Sequence, residues 1–158
     1  MLINVKFMLN GQQKSITANP LGRLIDLLRN DFQLTGAKEG CGEGKCGACA
    51  VLMDNRLVNS CLVAVAMLEG RNIITIEGYR ETERFSILKE SFEKAGSVQC
   101  GFCTPGMILA AEALLSVNPN PSEEEARISL EGNLCRCTGY NMIIDAVLSA
   151  SKEGKGLW

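Results

Sequence analysis

Eight of the 158 residues are cysteine and none is histidine. Without an imidazole the chain has no Ser-His or Cys-His catalysis, no histidine metal ligand and no Rieske-type iron centre. Cysteine at about 5% is high for an intracellular chain but below the density of a disulfide scaffold. The opening stretch Met1 to Asn10 alternates in polarity and lacks the apolar core of a secretory signal. The longest clearly apolar run, Cys61 to Leu68, is too short to span a bilayer, and no twin-Arg pair is present. The expected location is therefore the reducing cytoplasm, with no membrane partner. There, grouped cysteines more often bind metal or do redox work than form disulfides. Sixteen Lys+Arg against 18 Asp+Glu leave a formal charge of −2, which supplies no electrostatic attraction for nucleic acid or an anionic membrane.

The two halves of the chain have different periods. In the first, Ile3, Val5, Phe7 and Leu9 alternate with polar residues as in a half-buried strand, and Asn10-Gly11 is a hairpin signal leading to a weaker strand around Ser15 to Thr17. Asn19-Pro20 reads as the start of a helix with an apolar stripe of Leu21, Leu24, Leu27 and Leu28. A Gly-rich loop from Gly36 to Gly47 follows, then a hairpin about Asp54-Asn55 and a strand over Asn72 to Glu77. In the second half, Phe85, Leu88, Phe92 and Ala95 recur at helical spacing. So do Met107, Ile108, Ala111, Leu114 and Leu115, and again Ile143, Ile144, Val147 and Leu148. Ser122 and Glu125 form a capping box for a further helix, which also accounts for the acidic run Glu123 to Glu125. Four short helices with short loops predict a bundle. The reading is α+β: a first domain over residues 1–78, a helical second domain over 79–158, and a loose tail from Ser151 whose Leu157 and Trp158 are available to a partner.

The first cysteine group is Cys41, Cys46, Cys49 and Cys61, spaced C-x4-C-x2-C-x11-C. This is the plant-type [2Fe–2S] ferredoxin pattern, with three ligands on one loop and the fourth beyond it. Glycines in the loop let the backbone approach closely and turn N–H groups toward anionic sulfurs. A structural zinc site competes less well, because such sites usually pair two short C-x2–4-C knuckles. The second group is Cys100, Cys103, Cys135 and Cys137, spaced C-x2-C-x31-C-x-C. Spacing alone leaves zinc open here. Each pair precedes a helical segment: Cys103 stands before Thr104-Pro105, read as an N-cap and first-turn proline, and Cys137 before Thr138-Gly139 and the last apolar run. A helix N-terminus stabilises thiolate and an anionic cluster.

The stretches GCGEGKCGAC, QCGFCTPGM (Gln99 to Met107) and GNLCRCTGY (Gly132 to Tyr140) together resemble the small iron–sulfur subunit of the molybdenum hydroxylases. That family includes xanthine dehydrogenases, aldehyde oxidoreductases, nicotinate dehydrogenases and carbon monoxide dehydrogenases. The resemblance runs from Met1 to about Ala150, with no departure at a motif position. It implies a β-grasp, plant-ferredoxin-like domain with one [2Fe–2S] cluster on Cys41, Cys46, Cys49 and Cys61. It further implies a four-helix bundle with a second on Cys100, Cys103, Cys135 and Cys137. It also implies two partners, a large molybdopterin-binding subunit and a medium FAD-binding subunit. Gln99 matches the glutamine that hydrogen-bonds the pterin, and Cys137 the cluster ligand at the pterin edge. Arg136 reads as a surface charge.

On this resemblance the chain is the electron-transfer subunit of a molybdenum-dependent oxidoreductase, passing electrons from molybdopterin through both clusters to FAD. It has no substrate chemistry of its own, and the substrate of the complex reads as an N-heterocycle such as a purine. The absence of G-x-G-x-x-G agrees with FAD lying elsewhere. The alternatives are a free-standing two-cluster carrier and a zinc-stabilised interaction module. The charges Lys38, Glu39, Glu43 and Lys45 around the first loop read as solvated.

Overall fold

The alternating residues at the start form β1 (Ile3–Leu9), whose Val5, Phe7 and Leu9 point inward. Asn10 and Gly11 take φ of 50° and 77°, the paired left-handed conformation of a two-residue hairpin, and turn the chain into β2 (Gln12–Ala18). A second hairpin follows the same rule: Asp54 and Asn55, φ 50° and 64°, join β3 (Ala50–Met53) to β4 (Arg56–Asn59). With β5 (Asn72–Ile74) these make a mixed sheet in the order β2-β1-β5-β3-β4. Only the β1–β5 contact is parallel; the others are antiparallel. Helix α1 (Leu24–Asp26), continued by a π-turn over Leu27–Asp31, lays Leu24, Leu27 and Leu28 against Phe7, Val51 and Ile73. Each such leucine contributes about 2 kcal/mol through the apolar surface it removes from water. The computed structural model describes residues 1–158.

Two expected elements of this half differ. The helix does not begin at Asn19-Pro20. The Asn19 side chain accepts from the Leu21 N–H at 3.0 Å and its carbonyl from Gly22 at 2.9 Å, which closes a turn. Residues 22–24 then pair with the 63–65 segment, through Leu24 N–H to Val63 O and Val65 N–H to Gly22 O, both 2.8 Å. Leu21 is consequently outside the helix and 83% exposed. The last strand also stops early. Thr75 donates its N–H to the Asn10 side chain at 2.8 Å and becomes the N-cap residue of α2 (Ile76–Tyr79), so Ile76 and Glu77 are helical.

The second half is a bundle of α3 (Glu83–Lys94), α4 (Thr104–Val117), α5 (Glu123–Ser129) and α6 (Asn141–Glu153). Leu88, Phe92, Met107, Leu115, Ile143 and Ile144 form its core, and the core continues to Leu52 of β3. The capping box of α5 is complete: Ser122 N–H donates to Glu125 at 2.7 Å and Glu125 N–H to Ser122 Oγ at 3.2 Å. The Ser122 N–H holds the Glu125 carboxyl below its ordinary pKa.

The tail is not loose. Trp158 donates Nε1–H to the Glu112 carboxylate at 2.7 Å, and Arg84 donates Nε–H to Leu157 O at 2.7 Å. The indole lies over Gly154, where a Cβ would fall 2.0 Å from its ring. No helix is long and apolar enough to cross a membrane.

Candidate metal centres

The loop carrying Cys41, Cys46 and Cys49 follows α1 and ends at β3, and Cys61 lies in the 3-10 turn after β4. Loop and turn face each other because Ser60 N–H and Oγ both donate to Cys49 O, at 3.2 and 2.7 Å, while Asn59 Nδ2–H donates to Gly44 O at 2.9 Å. At Gly44 (φ 77°) a Cβ would stand 2.2 Å from Leu62 Cδ1, so the loop folds this tightly only with glycine. The thiols of Cys41 and Cys46 adjoin, and those of Cys49 and Cys61 do likewise. Cys41 is exposed, whereas Cys49 and Cys61 are buried.

The second group repeats the arrangement on helices. Cys103 is itself the N-cap residue of α4, which places Thr104 inside the first turn, so the helix starts one position earlier than expected. Cys135 and Cys137 lie on the loop into α6, whose N-cap residue Tyr140 takes φ 70°. Its hydroxyl turns back to accept from the Cys135 N–H at 2.9 Å. Cys100 Sγ and Cys137 Sγ are 3.8 Å apart and exposed, and Cys103 adjoins Cys135 at half-buried positions. Thr138 Oγ1–H donates to Cys135 Sγ at 3.0 Å.

Each group is therefore an outer pair and an inner pair of thiols. A tetrahedral ion with bonds of about 2.3 Å sets two sulfurs about 3.8 Å apart, which is the Cys100–Cys137 spacing. A mononuclear zinc site gathers four ligands around one point, whereas here the thiols stand as two pairs at each site. Two sulfur pairs fit a binuclear cluster, with one pair for each iron.

The electrostatics favour the thiolate at two cysteines and the protonated thiol at three. N–H groups of Glu43 and Lys45, 3.4 and 3.3 Å away, bring Cys41 down to about 7. Burial raises Cys135, but the Thr138 hydroxyl and the N–H groups of Cys137 and Thr138 more than offset it, leaving this thiol below its ordinary value. Burial pushes Cys61 to about 11 and Cys103 to about 12, and the hydrogen bond with Cys100 raises Cys137. Thiols of this kind hold their protons until a metal cation replaces them.

The two loops touch. Leu134 N–H donates to Cys46 O at 2.9 Å, and Asn133 Nδ2–H to Gly47 O at 3.2 Å. Gly47 (φ 69°) has no room for a Cβ, which would lie 2.5 Å from Gly132 O. Asn59, Asn133 and Tyr140 thus fix the sites, and the sequence alone assigns no role to any of them. Asn133 and Tyr140 lie inside the GNLCRCTGY motif, but nothing in their spacing marks the contacts they make across the fold. Gln99 and Arg136 are exposed beside the outer pair of the second site. Glu39 is less free than its composition implies, being paired with Arg23 at 2.6 Å.

Residues 7–74 match the family model of the 2Fe-2S iron–sulfur cluster binding domain, and residues 75–148 that of the [2Fe-2S] binding domain. The chain is 50% identical over 145 residues to the nicotinate dehydrogenase small FeS subunit of Eubacterium barkeri, covering 92% of each chain. It is 43% identical over 155 residues to the xanthine dehydrogenase iron-sulfur-binding subunit of Escherichia coli O157:H7, covering 95% of each. A chain in the crystal structure of quinoline 2-oxidoreductase from Pseudomonas putida 86 superposes with a TM-score of 0.90 at 40% identity, over 98% of this chain and 96% of that one.

Proposed function

The chain belongs to the small iron–sulfur subunits of the molybdenum hydroxylases, and we propose that it carries electrons from molybdopterin on a large subunit to FAD on a medium subunit. It is the electron-transfer subunit of a molybdenum-dependent oxidoreductase and carries two [2Fe–2S] clusters, one in each matched domain. When bound, these supply the one-electron couples, while the polypeptide sets their positions and potentials.

The observation that carries the ligand assignment is the twofold pairing of thiols. Cys41 with Cys46 and Cys49 with Cys61 hold the first cluster; Cys100 with Cys137 and Cys103 with Cys135 hold the second. Residues 1–78 and 79–158 are the corresponding domains. The Cys46 O to Leu134 N–H bond leads from a ligand of one cluster to the residue before a ligand of the other. Val98 and Gln99, just before Cys100 of the outer pair of the second site, are both exposed. This is the face we assign to the large subunit, with Gln99 and Cys137 at the pterin edge. Nicotinate, xanthine and quinoline, the compounds in the relatives' names, are all nitrogen heterocycles, and we infer a substrate of that class, such as a purine, for the complex. We place the chain in a reducing cytoplasm, where grouped cysteines more often bind metal than form disulfides.

The direct test is iron and acid-labile sulfide analysis of the purified chain: about four of each are expected, with two distinct paramagnetic signals on reduction. Zinc without sulfide would overturn the assignment. Gln99→Ala is expected to leave both signals intact and to slow electron exit from molybdenum or weaken subunit assembly. Unchanged assembly and turnover would remove Gln99 from the interface.

A further inference from the structure

Phe102 belongs by sequence to the second site, between Cys100 and Cys103. Its ring does not stay there. A Cβ built on Gly40, in the first loop, would meet Cys46 Sγ at 2.9 Å and Phe102 Cε1 at 3.8 Å. The ring edge and a sulfur of the first site thus flank the same point of backbone. The ring also lines a surface hollow whose other walls are Arg29, Thr35, Lys38 and Glu39, all from the first domain. It is 45% exposed, with its Cε1 edge toward the first loop.

We propose that Phe102 is a positioning residue for the first cluster: an apolar cover, lent by the second domain, that keeps water from the Cys46 edge and holds that cluster's reduction potential down. The inference rests on the assignment of Cys41, Cys46, Cys49 and Cys61 as its ligands. Reduction adds a negative charge to an already anionic group. Water stabilises that charge and an apolar wall does not. Beyond the ring stand the cations of Arg29 and Lys38, tied to the loop by donating to Thr35 O at 3.0 and 2.9 Å. Truncating the ring opens the Cys46 edge to water and to their field, and both changes favour the reduced form.

The test is a potentiometric titration of the full chain with both clusters bound, followed by electron paramagnetic resonance, with Cys49→Ser used to assign the signals. Phe102→Ala is expected to raise the first cluster's potential by about 59 mV, a tenfold change in a one-electron equilibrium, and to move the second by less than half as much. Phe102→Leu, which restores most of the apolar volume, is expected to shift the first cluster in the same direction by less. A larger shift at the second cluster, a fall at the first, or no shift at either overturns the proposal. If Phe102→Ala fails to load the first cluster, Phe102→Leu decides by the same criteria. Fewer than about four irons in the parent chain would instead overturn the ligand assignment, and this proposal with it.

Discussion

Replacing Cys49 by serine is expected to remove one of the two iron–sulfur signals completely and to halve the iron of the chain. Cys49 is buried, its thiol adjoins that of Cys61, and its carbonyl receives both donors of Ser60. A serine hydroxyl keeps the backbone in place but does not ionise to a soft thiolate, so an iron held by Cys49 and Cys61 would lose half of its protein ligands. Metal binding at such a site is also folding free energy, so the first domain should become more sensitive to proteolysis. The second site shares no cysteine with the first and should keep its signal. In the assembled enzyme, molybdenum should still be reduced by substrate, whereas FAD should no longer be reduced at a useful rate. Failure of substrate to reduce the second cluster, with molybdenum still reduced, would show that the first cluster lies before the second on the electron route. Retention of both signals would remove Cys49 from the ligand set.

Much of the fold is legible in the residues themselves. The hairpins at Asn10-Gly11 and Asp54-Asn55 are readable because a two-residue turn needs left-handed backbone at both positions, and those residue pairs tolerate it. The capping box at Ser122 and the apolar spacing of α3, α4 and α6 are likewise local signals. The elements that depart from expectation are decided by distant partners. Asn19-Pro20 carries a sound helix-start signal, but the segment after it is held extended by residues 63–65. Thr75 looks like strand, but the Asn10 side chain, 65 residues away in sequence, takes its N–H. In the cysteine groups, spacing identifies which residues belong together but not how they pair. Cys100 meets Cys137 across 37 positions, because two separate helices begin at one place. The position of Phe102 over the other domain's loop is hidden for the same reason.

The tail is the largest departure from expectation, and it yields the second strong prediction: Glu112→Ala should destabilise the helical domain by about 3 kcal/mol. Glu112 is only 6% exposed, in the middle of α4. Its carboxylate accepts from the Tyr79 hydroxyl, from Trp158 Nε1–H at 2.7 Å, from Arg84 Nη1–H at 2.9 Å and from Ser116 Oγ–H at 2.8 Å. Burial, reinforced by the Glu112 carboxylate, pushes the Tyr79 phenol far above its ordinary pKa, so it remains a donor. Alanine leaves that buried hydroxyl and the indole N–H without an acceptor, at about 1–3 kcal/mol each. Arg84 loses its charged partner, but it is partly exposed and water recovers most of that term. For a chain of this length the loss corresponds to a fall in Tm of about 9 °C. Trp158 is the only tryptophan, so its emission reports the release of the tail directly and should shift to the red. Trp158→Phe keeps an apolar ring over Gly154 and removes one donor, and should cost less than Glu112→Ala. If Glu112→Ala melts with the parent and its indole emission does not move, the carboxylate is not what holds Trp158 and Arg84 against the bundle.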